Sequence, residues 1–153
     1  MNPDLLRSLP FLKELTDEEV LAFANLLTTR EVGPKEKILT VGEPVHEFFI
    51  VCEGTAHARR LAQKREMLLG RIEPGGFFGE INLFNEQAAT ASVYATGKVM
   101  LAVVRYDILR SFMSENPRIG YKIVSALMAG LAERLRQTDQ RFVNTLYWAG
   151  GAR

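Results

Sequence analysis

Apolar positions change their period twice along this chain. Near the N-terminus Leu5, Leu6 and Leu9 precede Phe11 and Leu15, and Val20, Phe23, Ala24 and Leu27 then follow at mostly three- and four-residue steps. Thr16 and Glu19 have the spacing of a capping box before that second group, so residues 1–28 are predicted to form a helical N-terminus. From 29 to 104 the pattern shortens. β-Branched and aromatic runs such as Phe48–Cys52 and Val99–Val104 are separated by Gly33-Pro34, Gly42-Glu43-Pro44, Gly54, Pro74-Gly75-Gly76 and Gly97. Strands spaced this closely predict a small β-barrel or jelly roll. Helical spacing returns over 105–148. One helix is predicted over roughly Asp107–Ser114. A longer one, with Asn116 as cap and Pro117 in its first turn, is predicted to reach about Tyr147 before Trp148-Ala149-Gly150-Gly151 stops it. The expected fold is a single domain, mainly β with flanking helices, followed by a long C-terminal helix.

The segment Pro74–Ala95 carries the chemistry. A strand-like run ends in Pro74-Gly75-Gly76, and Gly79-Glu80 then opens a short apolar helix. A glycine-led helix start points backbone N–H groups outward at the positive end of the helix dipole, where an anion is favoured. Glu80 at that mouth can accept hydrogen bonds from paired sugar hydroxyls. The two features together suit a sugar phosphate, whereas Glu80 alone would be no more than a favourable first-turn charge.

This segment resembles the phosphate-binding cassette of the cyclic-nucleotide-binding domain family, which includes the catabolite activator proteins and the regulatory subunits of protein kinase A. Phe78-Gly79-Glu80, Leu83 and Ala91-Ser92-Val93 match the family pattern, as do Leu9–Leu12, Gly42, Phe49, Ile50, Gly54, Ile72 and Gly75-Gly76 elsewhere. The resemblance implies a ligand site built from Phe78, Gly79, Glu80, Ile81, Thr90 and Ala91, with Ala58, Leu69 and Gly70 as its floor and Arg134, on the long helix, facing the base. It also implies an arginine for the cyclic phosphate, and that position holds Ala89. Period-two alternation turns Arg71 away from the interior, and Arg60, which shares a face with Ala58, is a conceivable substitute cation. The sugar half of the site is therefore expected to persist and the phosphate half to be weakened.

The long helix carries Val124, Leu127, Leu131, Leu135, Thr138, Phe142 and Leu146 along one stripe, more than a small barrel can cover. The family uses this helix as a parallel dimer seam, so a homodimer is expected, with Gly130 easing close approach. Family members that bind DNA carry a helix-turn-helix domain after this helix. Only a few residues follow Tyr147, so a sensor domain without direct DNA binding is expected.

Composition adds exclusions. A net charge of +1 and a pI near 7.9 give no general electrostatic case for nucleic acid or an anionic membrane. Met1-Asn2-Pro3-Asp4 does not begin a signal peptide, and the longest apolar run, Val99–Val104, falls far short of the ~20 residues of a membrane span. The single cysteine, Cys52, lies in an apolar run and fits a buried thiol in a reducing, cytoplasmic setting. His46 and His57 are the only histidines and supply no metal-ligand cluster, and no nucleophile elbow or Walker loop occurs, so neither catalysis nor a cofactor is expected. Two readings stay open: a sensor for a cyclic nucleotide or a related, less anionic ligand, and a dimeric interaction module that has lost its ligand.

Overall fold

A computed structural model describes residues 3–62, 65–85 and 87–150. The N-terminus forms α1 (Pro3–Arg7), a 3-10 turn (Pro10–Leu12) and α2 (Asp17–Ala24). The capping box is in place: the Glu19 N–H donates to the Thr16 hydroxyl, and the Thr16 N–H donates to the Glu19 carboxylate at 2.8 Å.

Among the described residues eight strands follow: β1 (Thr28–Val32), β2 (Lys37–Leu39), β3 (Glu47–Glu53), β4 (Ala56–Ala62), β5 (Arg65–Ile72), β6 (Phe77–Phe78), β7 (Ser92–Ala95) and β8 (Val99–Arg105). They pair antiparallel in two four-stranded sheets, ordered β1-β8-β3-β6 and β2-β7-β4-β5. The architecture is a jelly-roll-like sandwich, not a closed barrel. Short strands with frequent turns are common to both forms, and only the strand pairing, which leaves each sheet with two edges, separates them.

Strand β3 is buried continuously from Phe48 to Cys52 because both of its faces are covered. On one face Phe48 meets Phe11 of the 3-10 turn and Phe77 of β6, with ring centroids 5.1–5.9 Å apart within the trio. On the other, Phe49 stacks on Phe78 at 4.7 Å. Cys52 is buried, as expected, and burial pushes its thiol pKa up.

A one-turn helix, α3 (Ile81–Phe84), lies between β6 and β7, and two helices follow β8: α4 (Tyr106–Glu115) and α5 (Pro117–Gly150). Pro117 opens α5 as predicted. The Asn116 carbonyl accepts from the Gly120 N–H, but its side-chain amide turns back to the Phe112 carbonyl at 3.1 Å and closes α4 instead. Helix α5 runs on through Trp148 and Ala149 to Gly150, past the expected stop near Tyr147; Gly151 lies outside the described residues.

The face of α5 turned towards the rest of the domain takes up part of the expected stripe. Ile123 is fully buried and Leu127 is 3% exposed, so Leu127 belongs to this domain's own core. Gly130 lies against Phe77, where a Cβ would sit 2.6 Å from the ring, so its closeness serves β6. Val124 and Leu131 are half-buried, while Thr138 is exposed. Leu135, Phe142 and Leu146 of the expected stripe stay exposed, joined by Tyr121, Met128, Val143 and Tyr147. Leu127→Ala should therefore cost about 2–5 kcal/mol in urea unfolding, and Met128→Ala, one residue on, less than about 0.5 kcal/mol. Similar losses for both would place the wrong face of α5 against the sheets.

Candidate functional site

The site begins where β5 ends and the chain turns through Pro74-Gly75-Gly76 into β6. Gly79 follows at φ +83°, and a Cβ there would lie 2.6 Å from the Glu47 carbonyl oxygen, so backbone conformation and space both demand glycine. The Tyr106 hydroxyl donates to the Gly79 carbonyl, tying α4 to this corner. Burial, and then the nearby Glu80 charge, hold the Tyr106 phenol well above its ordinary pKa. The helix that follows is a single turn, so its dipole is much smaller than a longer helix would provide. Arg110 secures its end by donating to the Leu83 carbonyl at 2.6 Å. Beyond it, Ala89 donates its N–H to Glu43 and accepts from the Gly42 N–H, which commits its backbone to the loop before β3.

Together these elements wall a cavity of about 820 Å³ beneath α5. Every residue that the cassette pattern nominates borders it: Ala58, Leu69, Gly70, Phe78, Gly79, Glu80, Ile81, Ala89, Thr90, Ala91 and Arg134. Leu131, Leu135 and Thr138, assigned from sequence to a dimer seam, line it as well. Arg71, expected to face away from the interior, contributes to the rim, whereas Arg60 is not among the lining residues. Among the polar lining residues, sequence reasoning missed Glu73, Asn82, Gln137 and Arg141. The signal for Arg141 was present: it stands seven residues, about two helical turns, after Arg134 and so shares its face.

Glu80 and Arg134 dominate the electrostatics. The Glu80 side chain is only 4% exposed, and it makes no capping bond to the one-turn helix. Its Oε1 accepts from Arg134 Nη1 at 2.7 Å. The same guanidinium donates through Nη2 to the Phe77 carbonyl and lies 4.6 Å from the centroid of the Phe77 ring. Burial raises the Glu80 pKa, and the Arg134 charge opposes that shift. Arg134 thus pairs with Glu80, neither standing free to stack on a base nor pairing with its helix neighbours; Glu133 bonds Arg136 and Gln137. At the position of the expected phosphate arginine, Ala89 is 6% exposed and offers only a methyl group.

A sequence model of the cyclic nucleotide-binding domain matches residues 29–116, more than half of the chain. The chain belongs to this family. It is 34% identical over 92 residues to the cAMP-dependent protein kinase regulatory subunit of Mycosarcoma maydis, a match covering 60% of this chain and 18% of that protein. The chain spans only about a fifth to a quarter of the length of the curated relatives it matches. Its fold matches a cyclic nucleotide-binding domain from Methylobacillus flagellatus with a TM-score of 0.83 at 19% identity, over 93% of this chain and 80% of that one. It also matches the regulatory subunit of a cAMP-independent protein kinase A from Trypanosoma cruzi bound to guanosine, with a TM-score of 0.73 at 24% identity, over 93% of this chain and 49% of that one. Among the described residues of this family member, no group of His, Cys, Asp or Glu could hold a metal ion, and no helix is long and apolar enough to cross a membrane.

Two predictions test the corner. Gly79→Ala should cost roughly 2 kcal/mol or more in urea unfolding, because strain and overlap add. A cost below about 0.5 kcal/mol would mean that the turn relaxes freely. For Glu80, a folded-state pKa raised above the unfolded value of 4.5 means that this group's contribution is most favourable below that value and declines as pH rises through the folded pKa. Glu80→Gln cannot titrate, so its stability relative to wild type should improve from pH 4 to pH 7. A relative decline over that range would show that Arg134 outweighs burial.

Proposed function

We propose that this chain is a non-catalytic regulatory sensor module whose cavity takes a nucleoside-like ligand carrying little or no negative charge. One contrast supports the reading: the buried Glu80 carboxylate can accept from sugar hydroxyls, while Ala89 presents a methyl group where the family's phosphate arginine would stand. Losing a hydrogen bond to a charged group costs about 1.5–3 kcal/mol, equivalent to about tenfold to a hundredfold in affinity. A phosphate left unpaired against Ala89 would add a desolvation cost. An uncharged nucleoside incurs neither. The guanosine in the Trypanosoma cruzi structure is a ligand of that kind. In this reading the module is non-catalytic and acts on an unidentified downstream protein in the cytoplasm.

Calorimetry with guanosine, adenosine, cyclic AMP and cyclic GMP tests the ligand class. Wild type should favour the nucleosides, and Ala89→Arg should tighten cyclic nucleotide binding at least about tenfold. Tight cyclic nucleotide binding by wild type, unchanged in Ala89→Arg, would contradict the reading. Absence of binding by either protein would favour a ligand-independent scaffold.

We also propose that a second copy covers α5. Tyr121, Met128, Leu135 and Phe142 are exposed at seven-residue intervals, the repeat of a two-helix seam. Wild type should sediment as a dimer at tens of micromolar, and Met128→Asp should yield a folded monomer. A monomeric wild type would rule the seam out.

A further inference from the structure

The sheet β2-β7-β4-β5 turns one face to the core and the cavity and carries charge on the other. Ala56 and Ala95 are buried, and Ala58 and Val93 line the cavity, so strand alternation sends His57, Arg59 and Tyr94 to the outer face. Cross-strand pairing aligns Lys37, Tyr94, His57 and Arg71 in one row across all four strands. The Lys37 ammonium lies 5.4 Å from the centroid of the Tyr94 ring, and the Arg59 guanidinium 5.8 Å. Arg59 also lies 3.4 Å from His57 Nδ1 and donates to the Glu66 carboxylate at 3.1 Å. Burial, and then the charges of Arg59 and Arg71, hold the His57 pKa below its ordinary value. The whole chain has a net charge of only +1, yet these positions set Lys37, Arg59 and Arg71 against one carboxylate, Glu66.

We propose that the outer face of this sheet is a docking surface for an acidic protein segment, extended across the strands with carboxylates at alternate positions. The cations set the spacing. Lys37 and Arg71 stand three strand spacings apart, about 14 Å at the backbone, and residues i and i+4 of an extended chain span about 13 Å. A carboxylate at i+2 then falls between them, beside His57 and Arg59. Glu66 shows that a carboxylate fits there, since Arg59 already holds one from within the sheet. Single-stranded nucleic acid fits less well: a base needs an open aromatic face for stacking, and Tyr94 has two cations against its ring. The small net charge of the chain also exerts little long-range pull on a polyanion. Each exposed ion pair contributes little alone, so the surface acts through several at once and weakens as salt rises. The inference does not rest on the nucleoside reading, because His57, Arg59 and Tyr94 stand on the opposite side of the sheet from the cavity residues Ala58 and Val93.

Fluorescence anisotropy on the full chain at low salt, with a labelled peptide of alternating glutamate and threonine, tests the surface. Wild type should bind this peptide and not its glutamine–threonine counterpart. The double variant Lys37→Gln/Arg59→Gln should weaken binding at least about fivefold. Lys13→Gln/Arg136→Gln removes the same charge from ion pairs elsewhere, with Glu14 and Glu133, and should leave the affinity unchanged. Equal losses in the two double variants would reduce the binding to bulk charge and overturn the docking surface. So would no binding by wild type, or tighter binding of a single-stranded oligonucleotide of equal charge. His57 supplies a local readout by nuclear magnetic resonance. With the peptide bound its imidazole should titrate at higher pH, because the added carboxylates offset Arg59 and Arg71. An unmoved His57 titration in the peptide complex would place the peptide elsewhere and overturn the proposal.

Discussion

A carboxylate removed from water has to find positive charge or donors, and Glu80 finds both in one residue, Arg134, 54 positions further along the chain. Much of the site follows from that demand. It links α5 to the corner before α3, and it brings the guanidinium over Phe77. Gly130 permits the approach, because any side chain there would collide with the same ring. Phe77 in turn packs between Phe11 and Phe48, so the ion pair rests on an aromatic cluster that also seats the N-terminal turn. An arrangement that buries one charge has therefore fixed the relation of three parts of the chain.

The cavity is chemically lopsided. Glu80 gives it one buried acidic acceptor, and Thr90 is among its lining residues. The Ala89 side has a methyl group and a backbone already hydrogen-bonded to the Gly42-Glu43 loop. A phosphate brought there would give up water without gaining an ionic partner. The remaining lining cations, Arg71, Arg134 and Arg141, are elsewhere engaged or at the rim: Arg134 is spent on Glu80, Arg141 on a carbonyl, and Arg71 is exposed. On the proposed reading, selection among ligands then falls to hydroxyl geometry and apolar fit.

Much of this was legible in the chain itself. The capping box, the proline that opens α5, the glycine at position 79 and the alternation of strands with turns each depend on neighbours within a few residues, where backbone sterics and local hydrogen bonds act without reference to the rest of the fold. The ordered cassette pattern put eleven positions around one cavity, and the identity of residue 89 is a fact of sequence alone. Arg141 was readable too, as the residue two turns beyond Arg134 on the same helix face.

Other features were decided only by tertiary structure. Whether short strands close a barrel or form two sheets depends on pairing between distant segments, and alternation tells which side faces inward, not which strand lies beside it. The stripe on α5 shows the same limit. Helical spacing grouped Leu127, Leu131 and Leu135 on one face, yet the sandwich buries the first and leaves the last exposed at the cavity's edge. The family resemblance set Arg134 against a base. Packing supplied another partner, Glu80, because a buried carboxylate gains more from a counter-ion than a solvated one does. Local rules fixed which groups this chain carries and where its elements begin; which of those groups meet was settled by the energy of burying them together.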